Sequence, residues 1–179
     1  AQVKYMEELP LSDLPMVKLF SYSLASNLTG EVYDYHNLTT QIRKQGGLVS
    51  VDATQAVPHL DINIDQLNCD FLVYSAHKVY GMTGLGVLYI ADDQIQSLIP
   101  MVYGSQTFSH IDRSDYELLS SVERFEPGTP NIEGALGLRV GLQLLKAFRH
   151  QEEVLGEYFL DQLRQHRLDR FLIGPANPD

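Results

Sequence analysis

The chain has 179 residues, of which 44% are hydrophobic, and these values are typical of one globular domain with a substantial core. Its 13 basic and 23 acidic side chains give a net charge of −10, which disfavours a protein that binds nucleic acid or an anionic membrane. The sequence has no run of about 18 apolar residues, the length needed to span a bilayer, and its single cysteine excludes an intramolecular disulfide framework. We therefore expect a soluble, cytoplasmic protein that contacts neither nucleic acid nor membrane.

The first half of the chain alternates between predicted strands and helices. Residues 17–23 are predicted to form a strand, residues 25–30 its turn, and residues 33–45 a helix that ends at Gly46 and Gly47. Further strands are predicted at residues 48–52, 70–75 and 85–91, with short helices at residues 65–67 and 92–98. The last strand is apolar throughout, which predicts that both of its faces are covered. This alternation indicates an α/β fold.

The second half of the chain is predicted to be mainly helical. Residues 103–122 are polar and weakly periodic, so we expect a long loop outside the core. Thr129 is predicted to cap a deeply buried helix with Pro130 at its first position, and residues 154–163 belong to a second, amphipathic helix. Two stretches near the ends of the sequence resemble strands, at residues 2–6 and 170–175. Both ends look interrupted, which predicts a piece of a larger protein.

Two predicted strands end in residues with complementary chemistry. Residues 48–52 end in Asp52 and are followed by Gln55, whereas residues 70–75 run into a turn that ends in Lys78. A lysine amine can form an imine with an aldehyde cofactor, and an aspartate can hold a proton on a pyridinium nitrogen. Each residue alone is explained more simply as a surface lysine or a helix cap. Their occurrence at consecutive strand ends favours a pyridoxal phosphate site, because open α/β sheets bind ligands beyond the carboxyl ends of their strands.

Five motifs together resemble the class V aminotransferase-like enzymes of pyridoxal phosphate, in particular cysteine desulfurases and selenocysteine lyases. The motifs are Ser26–Gly30, Val51–His59, Cys69–Phe71, Ser75–Gly84 and Glu126–Asn131, in the order typical of that family. The resemblance covers about residues 17–148 and implies a three-layer α/β/α fold with a mostly parallel sheet, the large domain of fold type I. Residues 1–169 would be the central part of that domain, and residues 170–179 the start of the connection to a C-terminal small domain.

The resemblance assigns the central chemistry to Lys78 and Asp52. It implies that Lys78 holds pyridoxal phosphate as an imine and moves protons at the α-carbon of the substrate, while Asp52 pairs with the pyridinium nitrogen. Asn27 and Gln55 match residues that contact the 3-hydroxyl side of the ring. A turn former at Asn27 and a cap at Gln55 remain the simpler structural explanations.

Ser75 and His77 match the residues of the family that bind the cofactor phosphate, with a cap and a core histidine as the structural alternatives. The implied reaction removes sulfur or selenium from L-cysteine or L-selenocysteine and leaves L-alanine. The family further suggests a homodimer that passes sulfur to a protein acceptor. Two alternatives stay open: another class V reaction, such as that of an aminotransferase, an epimerase or a kynureninase, and a non-catalytic remnant of the fold.

Several features of the family have no counterpart in the sequence. The phosphate loop, the ring-stacking residue, the substrate-binding arginine and the sulfur-accepting cysteine are expected outside these residues, so we expect the fragment alone to be inactive. Residues 117–119 (Glu-Leu-Leu) stand where the family has threonines that reach the phosphate of the partner subunit. We interpret Cys69 as a small core residue and His36 and His59 as packing or surface residues, and we predict no metal site.

Overall fold

The computed structural model describes residues 16–172, which form an α/β fold around a four-stranded sheet. The strands, adjacent in this order, are β1 (Leu19–Ser23), β2 (Leu48–Asp52), β3 (Phe71–Ser75) and β4 (Gly86–Ile90). The first three are parallel to one another, and β4 is antiparallel to β3. The predicted α/β class with a mostly parallel sheet is confirmed, and each of the four strands predicted within residues 17–91 is present.

Four α-helices and three 3₁₀ turns occur within the described residues. The helices are α1 (His36–Lys44), α2 (Ile64–Leu67), α3 (Asp92–Ile95) and α4 (Ile132–Gln165). The 3₁₀ turns are Ala76–Lys78, Val122–Phe125 and Asp169–Phe171. The strand predicted at residues 170–175 is wrong at its start, because Phe171 N–H donates to the Leu168 carbonyl at 3.0 Å and closes the last turn. Its remainder from residue 173, and the strand predicted at residues 2–6, lie outside the described residues.

Helix α1 covers one face of the sheet. Leu38 and Ile42 of this helix pack in the same core as Val49 and Val51 of β2, both of which are fully buried. The helix ends where it was predicted to end, since Gly46 has a φ of +80°, a left-handed conformation that glycine adopts without steric cost. The core therefore lies between α1 and the sheet.

The opposite face of the sheet is partly exposed within residues 16–172. Val73 of β3 and Leu88 of β4 are register partners on this face, and they are 36% and 55% exposed. The prediction that the last strand is covered on both faces is therefore wrong for the described part of the chain. The physical reason is that few side chains of the described residues pack over Val73 and Leu88. Ile90, on the same face of β4 as Leu88, is 8% exposed, and Tyr89 packs on the core from the other face.

A short antiparallel hairpin occupies the region that was predicted to be a loop. Strands β5 (Phe108–Ile111) and β6 (Tyr116–Leu118) pair with each other, and the ring of Tyr103 stacks on Phe108 with centroids 5.8 Å apart. Thr107, just before β5, is fully buried. The prediction was wrong because strands of four and three residues with mostly exposed side chains are too short to show an alternating pattern.

Helix α4 is one continuous helix of 34 residues, not the two helices that were predicted. Residues 146–153 contain neither glycine nor proline, so nothing in the sequence ends the helix between its two apolar halves. Its N-cap is Asn131 and not Thr129, because the Asn131 side-chain oxygen accepts the Gly134 N–H at 2.8 Å. Pro130 accordingly precedes the cap instead of standing at the first helical position.

The predicted deep burial of the first half of α4 is also wrong within the described residues. Gly134, Gly141 and Leu145 are the buried positions of this helix, whereas Leu136 and Val140 are 59% and 54% exposed. The helix contacts the rest of the described chain along one narrow stripe. No helix within residues 16–172 is long and apolar enough to cross a membrane.

We expect Gly141→Ala to destabilise the protein and Gly156→Ala to stabilise it. A Cβ at position 141 would lie 2.3 Å from the Val79 carbonyl oxygen and 2.9 Å from Gly81 N, so α4 would have to move away from the Lys78 turn. Overpacking of this kind costs about 1–3 kcal/mol of unfolding free energy. At position 156 a Cβ meets no atom within 4 Å, and replacing a helical glycine gains about 0.5–1 kcal/mol. Urea unfolding midpoints measure both changes, and an equal effect at the two positions would contradict the close approach at Gly141.

Candidate functional site

The carboxyl ends of the three parallel strands meet at one edge of the sheet. In the strand register Ser23 pairs with Asp52, and Asp52 pairs with Val73, so the three strands end side by side. Asn27 lies in the turn after β1, Asp52 is the last residue of β2, and Ser75 is the last residue of β3. The sheet topology thus brings three of the predicted site residues to the same edge, as parallel α/β sheets do with ligand-binding residues.

The 3₁₀ turn Ala76–Lys78 follows β3 directly and sets the position of Lys78. Its first residue, Ala76, and the residue after it, Val79, are fully buried, and the Ala76 carbonyl accepts hydrogen bonds from the N–H groups of Val79 and Gly81 at 3.0 and 2.9 Å. The lysine side chain itself is exposed. A tightly fixed backbone therefore presents an accessible amine at the strand end.

The amine of Lys78 contacts Gln55, another of the predicted site residues. Lys78 Nζ donates a hydrogen bond to Gln55 Oε1 at 2.8 Å, although the two residues are 23 positions apart in the sequence. Gln55 belongs to the turn that follows β2, which is why neighbouring parallel strands bring the two side chains together. The capping role considered for Gln55 is not what its side chain does in the structure.

The carboxylate of Asp52 is half-buried and is oriented by its own turn. Asp52 Oδ1 accepts the Thr54 N–H at 2.9 Å. Within residues 16–172, Oδ2 makes no hydrogen bond or ion pair, so one oxygen of this carboxylate remains available to a ligand. This arrangement is the one that a carboxylate needs in order to hold a proton on a ring nitrogen.

Three further predicted residues lie at or near the strand ends, and within residues 16–172 none of them forms a hydrogen bond with Lys78 Nζ. Asn27 is exposed in a turn that the Ser26 hydroxyl closes by accepting the Thr29 N–H at 3.1 Å. Ser75 is the N-cap of the Lys78 turn but its hydroxyl makes no capping hydrogen bond, and His77 is exposed. The alternatives of a capping Ser75 and a core His77 are therefore wrong.

His59 and Glu152, which were not predicted to belong to the site, are linked to Gln55 by polar contacts. Gln55 Nε2 lies 3.4 Å from His59 Nε2, and His59 Nδ1 lies 2.5 Å from Glu152 Oε1 on α4. His59 is at the surface, as interpreted from the sequence, yet it joins these two polar side chains. Its spacing of four residues from Gln55 was an available signal, whereas Glu152 is 93 residues further along and had none.

Cys69 is a core residue, as interpreted from the sequence. It is 4% exposed, two residues before the first residue of β3, and burial raises the pKa of its thiol, opposed in part by a hydrogen bond to the backbone. Because the thiolate is the reactive form, we expect iodoacetamide at pH 8 to alkylate Cys69 at least about tenfold more slowly in the native protein than in urea. Mass spectrometry of the Cys69 peptide measures the two rates, and equal rates would contradict the burial.

The residues at the strand ends fit pyridoxal phosphate as a set of chemical groups. They provide an exposed amine at Lys78 and a carboxylate at Asp52, of which Oδ1 alone accepts a hydrogen bond within residues 16–172. They also provide a hydroxyl at Ser75 that makes no capping hydrogen bond and an exposed imidazole at His77. The same residues do not resemble a metal site. Residues 16–172 contain no cluster of three histidine, cysteine or acidic side chains arranged to hold a metal ion.

Comparisons with known proteins agree with this architecture. The family model described as "Aminotransferase class-V" matches residues 6–177. The chain is 36% identical to a probable cysteine desulfurase of Ureaplasma parvum over 157 residues, which are 83% of this chain and 39% of that protein. It is also 36% identical to a probable cysteine desulfurase of Pyrococcus abyssi over 166 residues, which are 90% of this chain and 41% of that protein. The chain thus spans about two fifths of the length of these curated relatives.

Two solved structures are similar in fold and in sequence. The apo structure of a cysteine desulfurase from Thermococcus onnurineus superposes with a TM-score of 0.74 at 32% identity, covering 83% of this chain and 38% of that one. The cysteine desulfurase CsdA of Escherichia coli superposes with a TM-score of 0.68 at 31% identity, covering 72% of this chain and 32% of that one. The predicted fold class is confirmed by both.

Proposed function

The chain belongs to the class V aminotransferase family, and from this membership we propose that it is part of a pyridoxal-phosphate-dependent cysteine desulfurase. The names of its relatives support this choice within the family, since the two relatives from Ureaplasma parvum and Pyrococcus abyssi are called probable cysteine desulfurases. The proposed reaction takes sulfur from L-cysteine and leaves L-alanine. L-selenocysteine is a second proposed substrate because its carbon–selenium bond offers the same chemistry.

One contact carries the proposal more than any other. Lys78 Nζ donates to Gln55 Oε1 at 2.8 Å, and the two residues follow the adjacent parallel strands β3 and β2. Asp52, at the end of β2, lies at the same edge of the sheet. An amine and a carboxylate at adjacent strand ends are the two groups that a pyridine ring with an aldehyde requires.

Lys78 and Asp52 are the residues to which we assign the chemistry. When bound, pyridoxal phosphate supplies an electron sink that stabilises negative charge at the α-carbon of an amino acid. Lys78 would hold the cofactor through its amine and then carry a proton to or from that carbon. Asp52 would keep the ring nitrogen protonated, with Oδ1 already fixed by the Thr54 N–H.

The remaining predicted residues would bind and orient the cofactor. We assign the phosphate to Ser75, the last residue of β3, and to His77, which directly precedes Lys78. We assign the 3-hydroxyl side of the ring to Asn27 and Gln55. The exposure of Asn27 and His77 supports this assignment, because neither side chain is committed to the core.

The whole protein is proposed to be larger than this chain. Residues 1–169 would form the central part of the cofactor-binding large domain, and residues 170–179 would lead to a smaller domain. We also propose a cytoplasmic homodimer that hands its sulfur to a protein acceptor. These proposals rest on family membership and on the share of the relatives that the chain spans.

Turnover of L-cysteine by the full-length protein tests the proposal. We expect sulfide, measured in the presence of a reductant, and L-alanine to form in equal amounts. Formation of a keto acid with transfer of the amino group would instead identify an aminotransferase, and racemised cysteine an epimerase. A full-length protein that binds pyridoxal phosphate and releases sulfur or selenium from neither L-cysteine nor L-selenocysteine would contradict the proposed desulfurase.

Asp52→Asn is expected to lower kcat by at least about tenfold, because an amide cannot hold the proton on the ring nitrogen as a carboxylate does. The asparagine side-chain oxygen can still accept the Thr54 N–H, so the local turn is preserved. Initial rates of sulfide release measure the effect. Asp65→Asn, which changes an exposed carboxylate of α2, is the matched control, and equal losses in the two variants would contradict the role of Asp52.

A further inference from the structure

A line of polar contacts runs from Lys78 to helix α4. Lys78 Nζ is 2.8 Å from Gln55 Oε1, Gln55 Nε2 is 3.4 Å from His59 Nε2, and His59 Nδ1 is 2.5 Å from Glu152 Oε1. The contact of 3.4 Å is the longest and weakest of the three. Each side chain in the line is partly or fully exposed, so burial alone does not hold it in place.

The protons of this line can be assigned from donor and acceptor chemistry. The Lys78 ammonium only donates, so the Gln55 amide must present its oxygen to it, as observed. The amide nitrogen of Gln55 then faces His59 and can only donate, so His59 Nε2 must be the unprotonated nitrogen. The proton of the neutral imidazole is therefore on Nδ1, from which it is donated to the Glu152 carboxylate.

The backbone that carries His59 is fixed against α4 by a second contact. Arg149, which precedes Glu152 by less than one turn of this helix, donates to the carbonyl oxygens of Val57 at 3.4 Å and Leu60 at 3.1 Å. The same guanidinium forms an ion pair with Asp61. These contacts lie on both sides of His59, so they hold its backbone close to α4.

We propose that Glu152 and His59 are positioning residues that hold the Gln55 amide with its oxygen towards Lys78. Glu152 selects the Nδ1–H tautomer of His59, as a carboxylate does for many functional histidines. That tautomer leaves Nε2 free to accept from Gln55 and prevents the amide from turning over. The site then has Gln55 oriented before any cofactor binds. The importance of this orientation for cofactor binding rests on the proposed function, whereas the tautomer of His59 does not.

The ¹⁵N chemical shifts of the His59 ring test the proposal in the full-length protein without cofactor. His59→Asn identifies the His59 signals, because they are missing from its spectrum. We expect the wild-type protein to show the Nδ1–H tautomer, and Glu152→Ala to shift the ring towards Nε2–H, the form usual for a free imidazole. Glu152→Gln retains a side-chain oxygen as acceptor, so it is expected to restore the wild-type spectrum. A wild-type Nε2–H tautomer, or no change in Glu152→Ala, would overturn the assignment.

Cofactor affinity provides the second measurement. We expect Glu152→Ala to raise the Kd for pyridoxal phosphate about threefold to tenfold, the effect of losing one ordinary hydrogen bond, and Glu152→Gln to stay within about twofold of the wild type. Glu153→Ala is the matched control, since Glu153 is exposed on the same helix and contacts His150 at 3.5 Å. Equal Kd values for Glu152→Ala and the wild type would overturn the positioning role. A wild-type protein that binds no pyridoxal phosphate would refute the proposed function. The ¹⁵N measurement of the His59 tautomer, which needs no cofactor, would still test the proposed contact between His59 and Glu152.

Discussion

Replacing Lys78 with alanine is expected to abolish covalent attachment of pyridoxal phosphate and to reduce turnover by at least about 10³-fold, because no other group takes over a missing nucleophile. The side chain is exposed, and its Nζ makes one hydrogen bond within residues 16–172, to Gln55. The substitution should therefore leave the fold intact. Borohydride reduction of the full-length holoenzyme followed by peptide mapping measures the attachment, and the visible absorbance of the cofactor gives an independent readout.

Lys146→Ala is the matched control for this experiment. Lys146 is an exposed lysine of α4, far in sequence from the strand ends. We expect it to retain the absorbance band, the label at position 78 and the rate. A pyridoxyl label on a different lysine in the wild-type protein, or an unaltered band in Lys78→Ala, would refute the assignment of Lys78 and with it the proposed reaction.

Asp70→Ala is expected to destabilise the protein by about 1–3 kcal/mol, the cost of leaving a buried hydrogen-bonding group without its partner; the Arg43 side chain is 30% exposed, so water can still solvate its charge. Asp70 is 1% exposed, and each of its carboxylate oxygens is occupied. Oδ1 accepts from Arg43 Nη1 of α1 at 2.8 Å, and Oδ2 accepts from the backbone N–H of Val49 in β2 at 2.7 Å. Alanine would leave the Val49 N–H without its acceptor in the core and the guanidinium of Arg43 without its counter-charge.

Urea unfolding of the full-length protein measures this loss as a lower midpoint at an unchanged slope. Asp70→Asn keeps one side-chain acceptor, so we expect it to lose less stability than alanine does. Asp93→Ala removes an exposed carboxylate of α3 and is expected to change stability by no more than about 0.5 kcal/mol. If Asp70→Ala unfolded at the same urea concentration as Asp93→Ala, the role of Asp70 in joining α1 to the sheet would be refuted.

The strand ends were predictable from sequence because their signals are local. Asp52 and Lys78 each follow a short apolar run, and the parallel arrangement of α/β strands brings such ends to one edge of a sheet. Gly46 was predictable for a similar reason, since its φ of +80° is a conformation in which a side chain is strained. These features depend on fewer than ten neighbouring residues each.

The features that were not predicted depend on residues distant in the sequence or on weak local signals. Glu152 and His59 are 93 positions apart, and no sequence pattern near either residue predicts their contact. Asp70 was seen only as part of a motif, because its two partners lie on α1 and β2. The continuity of α4 was missed because its first part is apolar on more than one face and its second part is amphipathic, a change that resembles two helices. The absence of glycine and proline from residues 146–153 is the signal that would have predicted one helix.

Helix α4 meets the elements that carry Lys78 and His59 at points along a single stripe. Gly141 touches the backbone after Lys78, Leu145 is buried, and Arg149 and Glu152 hold the turn of His59. The steps of four, four and three residues keep these positions on one side of a helix, about 16 Å from first to last. Inserting one residue between 141 and 149 would rotate everything beyond it by about 100° and separate both anchors from the turn. The helix is therefore a spacer of fixed length. The number of residues between its contact positions is constrained, even at exposed positions where other residue types would be tolerated.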